Sequence, residues 1–589
     1  MNNAANNIDA KSKSLKDVLF ERHYKVGYFQ REYKWGRDNI EDLLVDLERS
    51  FYSNWDVHHS QKEVAAYDKY YMGPIVLFED GAEYSIVDGQ QRLTSFVLLM
   101  IFLNHKHKTV LKVDNKLKGY IFSDYFGNQS YNLNIEERIP VLDFIYKGKE
   151  LDDSSLKIES CRTMLERYND ITELFPPTLI NPSVLPLFTN WLTEKLVFIE
   201  ILTQTSESAY TIFETMNDRG LSLTQTELLK SFLLSNVKDE LKIAELDQIW
   251  KKRIAELTVV DNDDAFLKAW LRAKYAVTIR VSDQGSSNED FEKIGTRFSG
   301  WVQENSKRKD LKDNKVPLDP TDSLSYYFFV KSDFDFYCSE YLKLRRLELT
   351  SSGIEHRIRL LSYKGVSPSL SYPLILSPLK KSEDEETTFA KENTIIEYLD
   401  SFAVFRMLLG EAITHSTIRN AIYTKVREVR DLDLEALKQR LRPEISALKR
   451  QYLDHSYSRP DYTSGKYILA RLYKVKNPTL PFDNLHFQRR KDSFVMYQFL
   501  KQQDFESEKY NLPEGLREVL AVSLVSYTLI PKTLTKDMDS VGLIRRMEML
   551  ENKGFLEIKE AEFKTDLKSF FIQREKQLKD QIVSYWTVS

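Results

Sequence analysis

Glu83-Tyr84-Ser85-Ile86-Val87-Asp88-Gly89-Gln90-Gln91-Arg92-Leu93-Thr94-Ser95-Phe96 decides how the first part of this chain folds. Residues 83–87 form an extended apolar run, and residues 93–103 are apolar enough, and long enough, for a core helix. The five residues between them predict a strand-to-helix turn. At such a turn the backbone N–H groups and the positive end of the helix dipole favour anions such as phosphate. Arg92 adds a planar fork of donors suited to phosphate oxygens, and the amides of Gln90 and Gln91 can orient a water or read a base. The competing reading is a tight turn in which Gly89 supplies an unusual backbone angle, Arg92 pairs with Asp88, and Asp88 caps the helix.

Upstream, Pro74–Phe78 reads as a strand joined to residues 83–87 through Asp80-Gly81, a hairpin signal. Residues 38–52 read as an amphipathic helix with Ile40, Leu43, Leu44, Leu47 and Phe51 on one stripe, Asp38 as N-cap and Glu41 three residues on. Just before it, Tyr28-Phe29-Gln30-Arg31-Glu32-Tyr33-Lys34-Trp35 packs Gln, Arg and aromatic rings into one short run. Downstream, 196–202 is a β-type run and 208–216 is helical, ending at Phe213-Glu214-Thr215-Met216-Asn217-Asp218-Arg219-Gly220. Thr224-Gln225-Thr226-Glu227 is a capping box that opens a further helix, with Leu228, Leu229, Phe232 and Leu233 inward and Lys230 outside.

The three polar stretches, in this order over about the first 235 residues, resemble the Asp-Gly-Gln-Gln-Arg (DGQQR) domain at the N-terminus of GmrSD-type modification-dependent restriction enzymes and of SspE-type phage-defence proteins. The resemblance implies a ParB/sulfiredoxin-like small-sheet domain that binds and hydrolyses a nucleoside triphosphate, with Mg2+ as companion ion. It implies Asp88, Gln90, Gln91 and Arg92 as the reacting groups. Gln30, Arg31, Tyr33, Trp35, Gly89, Thr94, Asn217, Arg219 and Gly220 would line the nucleotide. Tyr33 and Trp35 would stack on a base or else pack into the core. Gly220 would end its helix, leaving Arg219 to reach phosphate.

At 589 residues the chain exceeds what one core supports, so several domains are expected. The boundaries read as 1–235, with a helical insertion over about 104–190 taken as a subdomain without chemistry of its own; 236–455, helical; and 456–589. The fold class is therefore α+β and mostly helical. Lys and Arg number 84 against 88 for Asp and Glu, a net charge of −4, so DNA contact must come from local patches. Arg345-Arg346, Lys438 to Arg442, Arg489-Arg490-Lys491 and Arg545-Arg546 are the candidates, each otherwise a solvated helix face. Two distant cysteines, Cys161 and Cys338, predict buried thiols rather than a disulfide or zinc site. His58-His59 and His105-x-His107 lack a third ligand. No apolar run is long enough for a membrane span and the N-terminus is polar, so a cytoplasmic location is expected.

The last third closes on Phe571, Arg574, Leu578, Ile582 and Trp586 at helical spacing, similar to the end of the HNH-type nuclease domain of full-length relatives. A nuclease of that type needs His to activate water and further groups to hold the metal. After residue 464 the sequence has one histidine, His486, in Asn484-Leu485-His486-Phe487, and the metal-binding residues of the family are missing. A degenerate HNH-like domain is expected, with residues 525–530 in the place of a family strand. The expected function is a nucleotide-binding, NTP-hydrolysing component of an anti-phage or modification-dependent restriction system, with DNA and an effector or nuclease subunit as partners and oligomerisation open. Two alternatives remain: a nucleotide-switched scaffold without turnover, and an endonuclease with an unrecognised site.

Overall fold

The computed structural model describes the chain apart from residues 1–8, 27–32, 82, 126, 157, 205–207, 210–211, 213–223, 280–288, 307–314, 351–357, 359–360, 362–364, 456–459, 481, 483–484, 486–492, 506–515, 518, 521–522, 557–565 and 589. It is 66% helical, with one small mixed sheet near the N-terminus, an α+β and mostly helical protein. The chain divides into two compact units, Met1–Ser231 and Phe232–Ser589.

In the first unit β1 (Asp9–Ser14) leads into α1 (Leu15–Leu19), β2 (Tyr24–Val26), α2 (Arg37–Tyr52), β3 (Tyr70–Asp80), β4 (Glu83–Asp88) and α3 (Gln90–Leu111). The hairpin β5 (Phe122–Tyr125) and β6 (Asn128–Tyr131) follows, then β7 (Leu133–Asn134), α4 (Ile139–Lys147), α5 (Asp153–Leu156), α6 (Glu159–Leu174), α7 (Leu185–Lys195) and β8 (Leu196–Thr203). Six strands make one sheet in the order β1-β8-β3-β4-β2-β7. β3 and β4 form the expected antiparallel hairpin, with Gly81 at φ 70° in the turn, a left-handed angle glycine takes without penalty. β2 runs parallel to both β4 and β7, so the chain leaves β2 and β4 at the same end of the sheet.

Alternation along the strands gives the sheet two buried faces. Ile75, Leu77, Ile86 and Phe198 join the main core, while Val76, Val87 and Ile201 pack with Ala209, Ile212 and Leu228 on the other side. α3 is buried on almost every side from Leu93 to Leu103. Each such apolar side chain contributes about 1.5–3 kcal/mol on burial, so α3 is the axle of the unit. α2 buries Ile40, Leu43, Leu44, Leu47 and Phe51, the stripe read from the sequence. Its N-cap is Gly36 rather than Asp38, because Asn39 Oδ1 reaches back to the Gly36 N–H at 2.9 Å.

The stretch 104–190 shares the core of the sheet: β7 extends it, and Phe175 and Phe188 pack with Phe51, Phe102 and Trp191. The capping box holds, with Glu227 N–H on Thr224 Oγ1 at 3.2 Å and Thr224 N–H on Glu227 Oε2 at 2.9 Å. In the helix it starts, Gln225–Ser235, Lys230 is only 8% exposed and not on a solvated face as its helical phase suggested. That helix is covered on more than one side, so period alone misassigns it. Of residues 208–216 the described ones, Ser208, Ala209 and Ile212, are helical.

The second unit is mainly helical. Its helices include Glu240–Val260, Asp263–Lys274, Glu385–Leu408, His415–Val429, Leu434–Asp454 and Tyr462–Lys476. β9 (Phe494–Gln498) and β10 (Tyr527–Pro531) pair antiparallel. The closing helix Leu567–Tyr585 buries Phe571 and Ile582, and its Arg574 donates to Val525 O at 2.8 Å and Tyr527 O at 3.0 Å, clamping the start of β10. Arg471 is fully buried beside Asp400 at 3.2 Å and donates to the Tyr585 hydroxyl, so its charge is paired and hydrogen-bonded. Cys161 and Cys338 are buried free thiols. No described helix is long and apolar enough to cross a membrane.

Candidate functional site

β4 ends at Asp88 and α3 begins at Gln90, so Asp88-Gly89 is the strand-to-helix turn that the sequence predicts. Gly89 is the N-cap, at φ 96°, and a Cβ there would lie 2.5 Å from Ile75 Cγ2. The turn therefore requires glycine twice over, for its left-handed angle and for the closeness of β3. Asp88 Oδ1 accepts the Gly89 N–H at 2.7 Å. Asp88 is thus bound to the N-cap N–H, while the N-cap glycine has no side chain to accept from the next N–H groups of α3 and the first turn holds no acid. Asp88, immediately ahead of the N-cap, is the acid beside the positive end of the dipole.

Arg92 lies in the first turn of α3 and folds back over the corner. Its Nη2 is 3.4 Å from Asp88 Oδ2, and Nη1 donates to Met72 O at 3.3 Å. Gly73, at φ 107°, makes room: a Cβ there would meet Arg92 Nη1 at 2.4 Å. Both contacts of Arg92 are long for charge-assisted bonds. The Asp88 side chain is 33% exposed and that of Arg92 20%. These two side chains are thus partly exposed together at the mouth of the turn.

The glutamines differ. Gln90 and Gln91 are 6% and 8% exposed. Gln91 Oε1 accepts the backbone N–H of Lys34 at 2.8 Å and of Trp35 at 3.2 Å. This one amide ties the segment after β2 to the first turn of α3, and so brings residues 57 positions apart in sequence to one corner. Tyr33 is fully buried, its hydroxyl 2.7 Å from Ser95 Oγ, and burial pushes its pKa up. Tyr33 is packed into the core here. Trp35 is half-buried against the core, and its carbonyl accepts from Arg167 at 3.1 Å. Thr94 is 1% exposed, and its Oγ1 has no hydrogen-bond partner among the described residues.

Gln30, Arg31, Asn217, Arg219 and Gly220 lie outside the described residues, as does His486. Lys34, absent from the residues that the sequence marks, is exposed, and its backbone is fixed at the corner by Gln91. A hydrophilic lysine in a polar run gives no sequence signal for that position; only the Gln91 bond does. His59 Nδ1 meets the Tyr67 hydroxyl at 2.9 Å, His105 the Tyr168 hydroxyl at 3.0 Å and buried His107 Thr189 Oγ1 at 2.9 Å, each a structural contact. Burial pushes the His107 pKa down.

Comparison with known proteins bears on the first unit. Among curated proteins none matches the chain. Residues 15–234 match the family model described as GmrSD restriction endonuclease, N-terminal domain, and they span α1, the whole sheet except β1, the β4–α3 corner and the capping box at Thr224. That stretch of the chain belongs to the GmrSD N-terminal domain family of restriction systems.

Proposed function

We propose that the first unit is the nucleotide-handling part of a phage-defence restriction component, and that the β4–α3 corner grips the phosphates of a nucleoside triphosphate. The observation that carries this reading is the geometry of Asp88, Gly89 and Arg92: an uncapped helix start with a loosely joined acid–guanidinium pair at its mouth. Phosphate would take the Arg92 fork and the helix start together. Asp88 suits a magnesium ion held by one carboxylate and by bridging phosphate oxygens, as such ions commonly are. Bound there, the ion would offset charge on the phosphates; Asp88 would hold it, and Arg92 would stay on the phosphate oxygens.

Hydrolysis and coupling to DNA sensing are the finer part of the proposal. DNA as partner follows from the restriction family; a modified base as the signal, an effector or nuclease subunit that cuts, and a C-terminal HNH-like region without its metal-binding residues are our reading of the sequence. The burial of both glutamines favours a second reading, nucleotide binding as a switch without turnover, since Gln91 Oε1 already accepts two backbone N–H groups. Phosphate release from ATP, GTP, CTP and UTP, compared between wild type, Asp88→Ala and Arg92→Ala, separates the two. Release that both substitutions abolish supports the NTPase. Saturable binding with no release leaves the switch, and no binding of any of the four removes the nucleotide reading.

A further inference from the structure

Four basic groupings stand out in the sequence, and the fold disposes of most of them. Arg546 is fully buried, donating to Phe499 O at 2.6 Å and Asp504 Oδ2 at 2.8 Å. Arg345 is locked between Asp261, at 2.8 Å, and Glu348. Residues 489–491 lie outside the described residues. What remains is the helix Leu434–Asp454, which buries Leu437, Leu441, Ile445 and Tyr452 and turns its other side to solvent.

At about 100° per residue, Lys438, Gln439, Arg442, Ser446, Lys449, Arg450 and Leu453 fall within one arc of roughly 120° beside that buried stripe. From Lys438 onward the arc holds four cations and no acid. Gln439, Arg442, Ser446 and Arg450 are exposed. Many cations on the described helices of this unit have a carboxylate: Lys425 has Glu428 and Glu444, Lys391 has Glu383, Lys343 has Glu340. Here Lys438 has only a loose contact with Glu435 at 3.9 Å, and Arg442 a long bond to Val588 O at 3.4 Å. Lys449 and Arg450 have no ion pair among the described residues. Lys449 is half-buried, and desolvation pushes its pKa down with no acid to restore it. A partly buried ammonium without a counter-charge is costly unless an anion from outside supplies one.

We propose that this face of the helix Leu434–Asp454 binds the phosphate backbone of duplex DNA. Lys438 to Arg450 spans about 18 Å at 1.5 Å per residue. With one phosphate per 3.4 Å along a strand, that length runs beside about five phosphates. The interleaved amide of Gln439 and hydroxyl of Ser446 suit phosphate oxygens. A lipid surface would need a broad apolar face next to the cations, and Leu453 is the one large exposed apolar side chain in the arc. The contacts are to backbone, so they position the duplex without reading its sequence. This assignment stands apart from the nucleotide reading of the first unit.

The test is fluorescence anisotropy of the full chain with a labelled 20-base-pair duplex between 50 and 200 mM NaCl. Lys438→Gln/Arg442→Gln/Lys449→Gln is compared with a control triple on other exposed lysines, Lys532→Gln/Lys536→Gln/Lys553→Gln. The first triple should weaken binding at least tenfold at 50 mM salt and lower the salt slope by about 2–3, near 0.9 for each phosphate that a cation no longer neutralises. The control should stay within twofold of wild type. Circular dichroism and the melting profile check that both triples fold, and the single variant Lys449→Gln, expected to lower the slope by about 1, provides the reading if the triple does not. An unchanged slope, an equal weakening in the control, or no duplex binding by wild type overturns the proposal.

Discussion

Gly89→Ala puts the strongest demand on the β4–α3 corner. The alanine must keep φ near 96°, a left-handed angle that costs a non-glycine residue about 1–2 kcal/mol. Its Cβ would also lie 2.5 Å from Ile75 Cγ2 and 3.1 Å from Ile75 Cβ. Overpacking of this kind costs about 1–3 kcal/mol, for a total of about 2–5 kcal/mol. Two units make one global unfolding energy ill-defined, so the assay is native-state hydrogen exchange of the amides early in α3. A local destabilisation of 2 kcal/mol or more raises their exchange about 30-fold or more, at tenfold per 1.4 kcal/mol. Ile75→Ala removes Cγ2 from the clash but leaves Cβ, and by itself costs about 2–5 kcal/mol as a core truncation. The double variant should therefore be destabilised by about 1–2 kcal/mol less than the sum of the singles. Exchange within threefold of wild type in Gly89→Ala, or strict additivity in the double variant, would refute the account of the turn.

Gln91→Ala should leave the backbone donors of Lys34 and Trp35 without their acceptor, costing about 1–3 kcal/mol and speeding exchange at those two amides more than in the middle of α3; equal exchange at both places would show that the amide does not hold the segment. Glu392, 2% exposed and beside Glu340, has its pKa pushed up to about 8, by burial first. The folded state then keeps a proton that the unfolded chain releases from about pH 4.5 upward. The contribution of Glu392 to stability is accordingly greatest below that pH and falls by up to about 1.4 kcal/mol per pH unit until about pH 8. Glu392→Gln should flatten this slope in pH-dependent melting of the full chain, and an unchanged slope would place the proton elsewhere.

Much of the corner is legible in the sequence because its signals are local. Asp80-Gly81, Asp88-Gly89 and the capping box at Thr224 each depend on residues within four positions of one another, and the α2 stripe on simple periodicity. What stays hidden depends on distant partners. β7 is two residues long and joins the sheet through β2, roughly a hundred positions away in sequence. β1 reads Asp-Ala-Lys-Ser-Lys-Ser, with almost no apolar content to mark a strand, and owes its existence to β8. The roles of Gln91 and Tyr33 cannot be separated from those of Gln90 and Trp35 by residue type, which does not say which side chain the core encloses. The burial of Lys230 escapes its helical phase for the same reason.

The two margins of the six-stranded sheet carry one further consequence. An outermost strand offers unsatisfied backbone groups to any passing extended peptide, which is how many β-proteins aggregate. Here one margin, β1, is exposed along most of its length but studded with Lys11 and Lys13, and the other, β7, stops after two residues. Positive charge on one side and brevity on the other leave little template for a stray strand to copy, so crowding many copies of this protein together should not by itself zip their sheets into fibres.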